Sequence, residues 1–209
     1  DHVSSSLIAG LVFASDKLKF HIQINGAVRA FARPPTRTPK QAPSASLRLV
    51  YHFWQVSADV SYSMCLRAAS AAFLVMSLCA LRGIDAQRSS FDGIQGRRGM
   101  SHRFFGAVAY NSKSKQAMPW ACPTRVFHGD ESWLDALLFM WGDHDFLFAK
   151  IAAGASLAGS TSFLEEMASA YFILKYLREI LQLPSVSLGA EEAKLIRRHS
   201  FRHWLANMI

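Results

Sequence analysis

The chain has 209 residues, half of them hydrophobic, and 23 Lys and Arg against 15 Asp and Glu, for a formal charge of +8 and a pI near 9.7. That length fits one domain, or one domain with a piece of another, and the hydrophobic content excludes a chain disordered by composition. The charge points to a polyanionic partner, nucleic acid first and anionic membrane second.

The sequence opens Asp1-His2 with no basic stretch, apolar core and small-residue cleavage site, so no signal peptide is expected and the missing Met suggests a fragment or an incomplete gene call. Over residues 4–32 apolar side chains recur at helical spacing, from Leu7 and Ile8 to Val28 and Phe31, with Asn25-Gly26 as a break. Residues 33–45 hold Pro34, Pro35, Pro39 and Pro43 and read as a linker. Arg29, Arg33, Arg37 and Lys40 on and beside it are candidates for phosphate contacts.

A helix is expected from a Ser44 or Ser46 cap through Leu47, Leu49, Val50, Phe53 and Trp54. A second, over about 63–81, is apolar on nearly every side and therefore buried. Its run from Ala68 to Leu81 is short for a membrane span. Residues 92–100 read as a Gly- and Arg-rich turn. Phe104–Tyr110 and Ala117–Phe127 read as a β-hairpin whose turn carries Lys113 and Lys115. Asp130 to Met140 is a predicted helix capped by Asp130, followed by an irregular stretch that pins Phe146, Leu147 and Phe148 into the core. Thr161–Leu183 is predicted as one long helix, with a Thr161 or Ser162 capping box closed by Glu165 and a stop at Pro184. Glu191–Ile209 is predicted as the last helix. The fold class is mainly α with a small antiparallel β-sheet, an α+β arrangement.

The last helix carries His199-Ser200-Phe201-Arg202-His203, preceded by Arg197 and Arg198. On a continuous helix His199 and Arg202 share a face. Arg grips phosphate through a planar fork of donors, and His moves protons near neutral pH. The plainer reading is a solvated basic helix end. Cys65, Cys79 and Cys122 are scattered, without a C-x-x-C, which argues against a disulfide framework and makes a reducing compartment the default. Asp143, His144 and Asp145 read as a polar loop rather than a metal site, so no metal is expected.

Three boxes in order give the chain a likeness to the tyrosine recombinase (phage integrase) family. Leu81-Arg82-Gly83-Ile84-Asp85, after a buried helix, resembles the family's G-L-R-x-x-E box. The hairpin with Lys113 in its turn and Met118-Pro119 on the return strand resembles its lysine hairpin. His199-Ser200-Phe201-Arg202-His203 resembles its H-x-L-R-H box, and Phe146-Leu147-Phe148 its LF strand. The resemblance covers roughly residues 40–209. It implies a remnant of a helical DNA clamp over 1–32, a basic linker over 33–45 and a catalytic domain over 46–209.

It further implies that Arg82 and Arg202 clamp a scissile phosphate, that a hairpin lysine is the general acid, with Lys113 taken for its place in the turn and Lys115 left as the alternative, and that His199 assists proton transfer or holds the phosphate. Asp85 would orient Arg82 or the helix beneath it, and His203 would support the box. Lys115, Arg197 and Arg198 would join the DNA contacts. By this likeness the family forms a 3′-phosphotyrosyl link without metal, ATP or other cofactor and works as a tetramer on double-stranded DNA. Tyr51, Tyr62, Tyr110, Tyr171 and Tyr176 all precede His199, so the family's nucleophile is not found and the chain is expected to be inactive as it stands. Taken bare, Arg82 could simply end a buried helix, and Lys113 and Lys115 could be ordinary turn residues. The implied role is site-specific DNA recombination or integration in a mobile element, in the cytoplasm of a prokaryote or the nucleus of a eukaryote. A DNA-binding relic that kept the boxes, and a membrane-associated helical protein, are the alternatives.

Overall fold

The computed structural model describes residues 45–90, 104–110, 116–127, 131–143, 145–186, 188 and 190–201, apart from the side chains of residues 104, 142, 143, 190, 192, 198 and 199. The chain divides between Gln41 and Ala42 into two units, and every described residue lies in the second. The helices expected over 4–32, the linker up to residue 44, and the turn at 92–100 lie outside the described residues.

The first described helix, α1 (Leu47–Ala58), starts where a cap was expected: the Ser46 hydroxyl accepts from the Leu49 N–H at 3.2 Å. Its buried stripe of Leu49, Val50, Phe53 and Val56 follows the 3.6-residue period. His52 sits in that stripe, 4% exposed, with no hydrogen-bond partner for its Nε2. Burial lowers its pKa from 6.5 to about 4, so the imidazole is neutral. Helix α2 (Met64–Leu78) is capped by Ser63 and buried continuously from Cys65 to Ser77. Ala68, Ala69, Ala71 and Ala72 give it the small surface that lets neighbouring elements approach on several sides. Its Phe73 ring lies 5.4 Å from Phe53, 5.0 Å from Phe148 and 5.6 Å from Phe201.

After the short helix α3 (Gly83–Gln87) comes a three-stranded antiparallel sheet, β1 (Ser89–Ser90), β2 (Phe104–Ala109) and β3 (Met118–Pro123), in the order β1-β2-β3. The expected hairpin is there, with register Phe104↔Pro123 through Ala109↔Met118. Gly106 is required in it: a Cβ at that position would lie 2.4 Å from the Trp120 carbonyl oxygen. β1 is too short for any sequence pattern to announce.

The predicted helix at Asp130–Met140 becomes a 3-10 turn (Ser132–Leu134) running into α4 (Asp135–Asp143), and Asp130 itself lies outside the described residues. Of the three residues expected to be pinned, Leu147 and Phe148 are buried and Phe146 is half-buried. They form no strand, but Phe146 bridges Ser90 and Leu147 N–H donates to the Ser89 carbonyl at 3.1 Å, extending the β1 edge of the sheet.

Two helix predictions need correction. The helix expected over Thr161–Leu183 forms only as α5 (Ala170–Leu181), capped by Ser169 and not by Thr161 or Ser162. Residues 164–168 run antiparallel to 148–150 instead: Leu164 N–H donates to Lys150 O, Lys150 N–H to Glu166 O, and Ala168 N–H to Phe148 O. Those amides and carbonyls are thus engaged by the loop and cannot also close helical turns. The helix expected over Glu191–Ile209 breaks as well. It forms as α6 (Ala190–Leu195) and, after Ile196 and Arg197, a 3-10 turn over Arg198–Phe201. The Arg178 guanidinium takes the Ala193 and Lys194 carbonyls at the end of α6, and Ser200 Oγ accepts from Arg197 N–H at 3.0 Å.

The described fold is therefore a mix of helices and one small antiparallel sheet: α2 packs against α1 and α4, and the sheet meets α3 through β2. No helix among the described residues is long and apolar enough to cross a membrane.

Candidate functional site

The first box is delivered by the way α2 ends. Cys79 is the C-cap, and Ala80 adopts a left-handed φ of +49°. Ala80 N–H donates to Ser77 O at 3.2 Å and Leu81 N–H to Met76 O at 3.0 Å, while the Leu81 and Met76 side chains are both buried. This is a complete Schellman stop, with alanine where glycine is the usual occupant. The left-handed backbone costs a non-glycine residue roughly 1 kcal/mol. The reversal sets Arg82 at the start of α3 with extended backbone (φ −69°, ψ 151°) and a half-buried side chain. No carboxylate among the described residues forms an ion pair with it.

Asp85 is 2% exposed, and its Oδ1 has no hydrogen-bond partner. It makes neither a hydrogen bond nor an ion pair with Arg82, so the expected orienting contact is not made in this state. Its backbone has a different task. Ser89 Oγ donates to the Asp85 carbonyl at 2.8 Å, and Trp120 Nε1 donates to Ser89 Oγ at 2.8 Å. This two-step relay ties α3, one turn past Arg82, to β3, two residues beyond Met118. Sequence reading missed both members. A serine pair between a helix and a Gly-rich turn carries no recognisable signal.

The hairpin that follows closes at the Ala109↔Met118 pair. Lys113 and Lys115 belong to its connection and lie outside the described residues. The third box is described only in part. Arg197 is exposed, and the backbone of Arg198 and His199 lies in the 3-10 turn. Their side chains, and Arg202 and His203 entirely, are outside the described residues. The same holds for Arg29, Arg33, Arg37 and Lys40. The helix expected over Glu191–Ile209 is interrupted at Ile196-Arg197, ahead of the box. What fixes the box is burial: Ser200 and Phe201 are fully enclosed. Phe201 packs on Phe53 at 5.6 Å and on Phe73 of α2. The residue before Arg202 is therefore seated on the helix whose end carries Arg82.

Among the described residues no group of three or more His, Cys, Asp or Glu could hold a metal, and Asp145 is exposed. An open groove of about 420 Å³ lies between the end of α5 and α6, lined by Arg178, Leu181, Pro184, Val186, Ala193 and Lys194. It contains no residue of the three boxes. Exposed Arg48 and Arg88, with Arg197, add positive charge to the surface. No family model, curated protein or solved structure matches the chain.

Proposed function

We propose that the described unit is the catalytic core of a DNA strand-exchange enzyme of the tyrosine recombinase class, acting in site-specific recombination or integration. One observation carries the reading. The stop that ends α2 at Ala80 produces Arg82, and Phe201, next to Arg202, is bound to the same helix. One helix thus delivers Arg82 and seats the residue before Arg202, an arrangement suited to two arginines that would have to hold one phosphate. Ala80 also stands where the G-L-R box has glycine, and its left-handed φ gives a physical reason for glycine there.

In this reading the two guanidiniums stabilise the charge that grows on phosphorus as the bond breaks. Lys113 protonates the departing 5′-oxygen and His199 assists, with no metal or cofactor needed. Asp85, through its backbone tie to Ser89 and Trp120, positions α3 relative to the hairpin. Strand cleavage would need a tyrosine nucleophile, and the five tyrosines of the chain all precede the third box. The working form is a tetramer on double-stranded DNA, inside the cell where DNA is.

The test is DNA binding by the 209-residue chain, followed through fluorescence anisotropy of a labelled duplex across a salt series. Affinity should fall steeply with salt, and Arg82→Ala should weaken it about tenfold with thermal stability unchanged. A chain that ignores duplex at low salt, or binds it equally well without Arg82, overturns the reading. Covalent capture on nicked DNA by a longer reading frame separates an active enzyme from a DNA-binding relic.

A further inference from the structure

We propose that Cys79 and Cys122 are a paired redox switch, closing to an intramolecular disulfide that locks the end of α2 onto β3. Cys79 is the C-cap of α2, three positions before Arg82, and is half-buried. Its Sγ donates to the Ala121 carbonyl at 3.3 Å. Cys122, the next residue in β3, is fully buried, and its thiol neighbours that of Cys79. All three cysteines of the chain are free thiols. The third, Cys65, is buried inside α2, where burial raises its pKa to about 11.

The two thiols have unequal access. Burial pushes the Cys122 thiol far above the usual range, with the neighbouring Cys79 thiol adding to the shift. Cys122 therefore stays protonated and shielded, and Cys79 meets an oxidant first. With hydrogen peroxide, the Cys79 thiol is oxidised to a sulfenic acid and one water is released. The Cys122 sulfur then attacks the Cys79 sulfur, the S–O bond breaks, and the hydroxyl leaves with the Cys122 proton as a second water. One peroxide is reduced to two waters and two thiols become one disulfide. The high pKa of Cys122 makes the second step the slow one.

The lock has a consequence at Arg82. Cys79 would exchange its hydrogen bond to Ala121 for a covalent bond to the neighbouring residue, shifting the C-cap on which the Ala80 reversal is built. That consequence rests on the reading of Arg82 as a phosphate clamp; the disulfide does not.

The experiment treats the folded chain with a small excess of hydrogen peroxide, quenches it, and counts thiols in denaturant. The count should fall from three to one. A non-reducing peptide map should join the Cys79 and Cys122 peptides, and dithiothreitol should restore all three thiols. Cys65→Ala should form the same link, and Cys122→Ala should leave a sulfenic acid at Cys79 that dimedone captures. A count that stays at three, or stops at two with no linked peptide, overturns the proposal. Duplex affinity should drop severalfold in the oxidised chain, recover on reduction, and be insensitive to peroxide in Cys79→Ser. A mapped disulfide with unchanged affinity removes the effect on Arg82. A reduced chain that never binds duplex counts against the DNA reading alone, because the peptide map still decides the switch.

Discussion

The segment from Ser46 to Pro123 and the segment from Asp145 to Phe201 are held by different physics. In the first, local rules set the elements: serine caps open α1 and α2, a Schellman turn closes α2, and a paired register makes the hairpin. In the second, the chain depends on partners far away in sequence. Gln87 donates to the Ala168 carbonyl at 2.9 Å and Ser63 to that of Leu157 at 2.7 Å. Tyr176 OH donates to Ala149 O and accepts from Ile151 N–H, and Glu179 accepts from Leu157 N–H. Where structure comes from periodicity and capping it can be read from a window of residues. Where it comes from one distant hydrogen bond, the window contains no trace of it.

The strongest challenge to this contrast is Phe73→Ala, because Phe73 meets both segments. Emptying the space between Phe53, Phe148 and Phe201 should cost about 4 kcal/mol. The loss should appear as one cooperative urea transition at a lower midpoint. Two separate transitions would show the segments to be independent units.

Acid should act through the first segment. The unfolded chain protonates His52 near pH 6.5, whereas the folded chain resists until about pH 4. Between those values the unfolded state binds the extra proton, so stability is full above pH 6.5 and is lost as pH falls toward 4. At pH 5 the loss should be about 2 kcal/mol relative to neutral pH. His52→Leu should remove most of that difference in urea midpoints. An equal acid sensitivity in the variant would assign it to other groups.

The smallest effect discriminates most sharply within the second segment. Ser169→Ala should destabilise by about 1 kcal/mol, as expected for removing a helix cap. Ser162→Ala should change stability by less than about 0.5 kcal/mol, since Ser162 is exposed and caps nothing. The reverse ranking in thermal melts would reinstate the long helix.

Residues 161–183 show why sequence reading fell short there. Leu164, Met167 and Leu174 repeat at helical spacing, and Ser162 with Glu165 resembles a capping box, so every local signal favours helix. All three apolar side chains prove exposed. The edge formed by Phe148 and Lys150 captured the preceding backbone, and it is visible only once the chain is folded. The same limit applies to the candidate site. Arg82 was legible because it follows a buried helix. The positive φ at Ala80 was not, since alanine rarely takes it, and neither were the Trp120–Ser89–Asp85 relay and the nearness of Cys79 to Cys122, which packing decides.

The hydrogen bond from Ala45 N–H to the Ser200 carbonyl, 2.9 Å long, ties the first described residue to the last described turn. A ribosome delivers residue 45 early and residue 201 last among those described. Until then Phe53 and Phe73 lack the ring that covers them, and their apolar faces stay open to water. The nascent chain should therefore be vulnerable to proteases and dependent on chaperones through most of its synthesis, and should become resistant only when its last turn arrives.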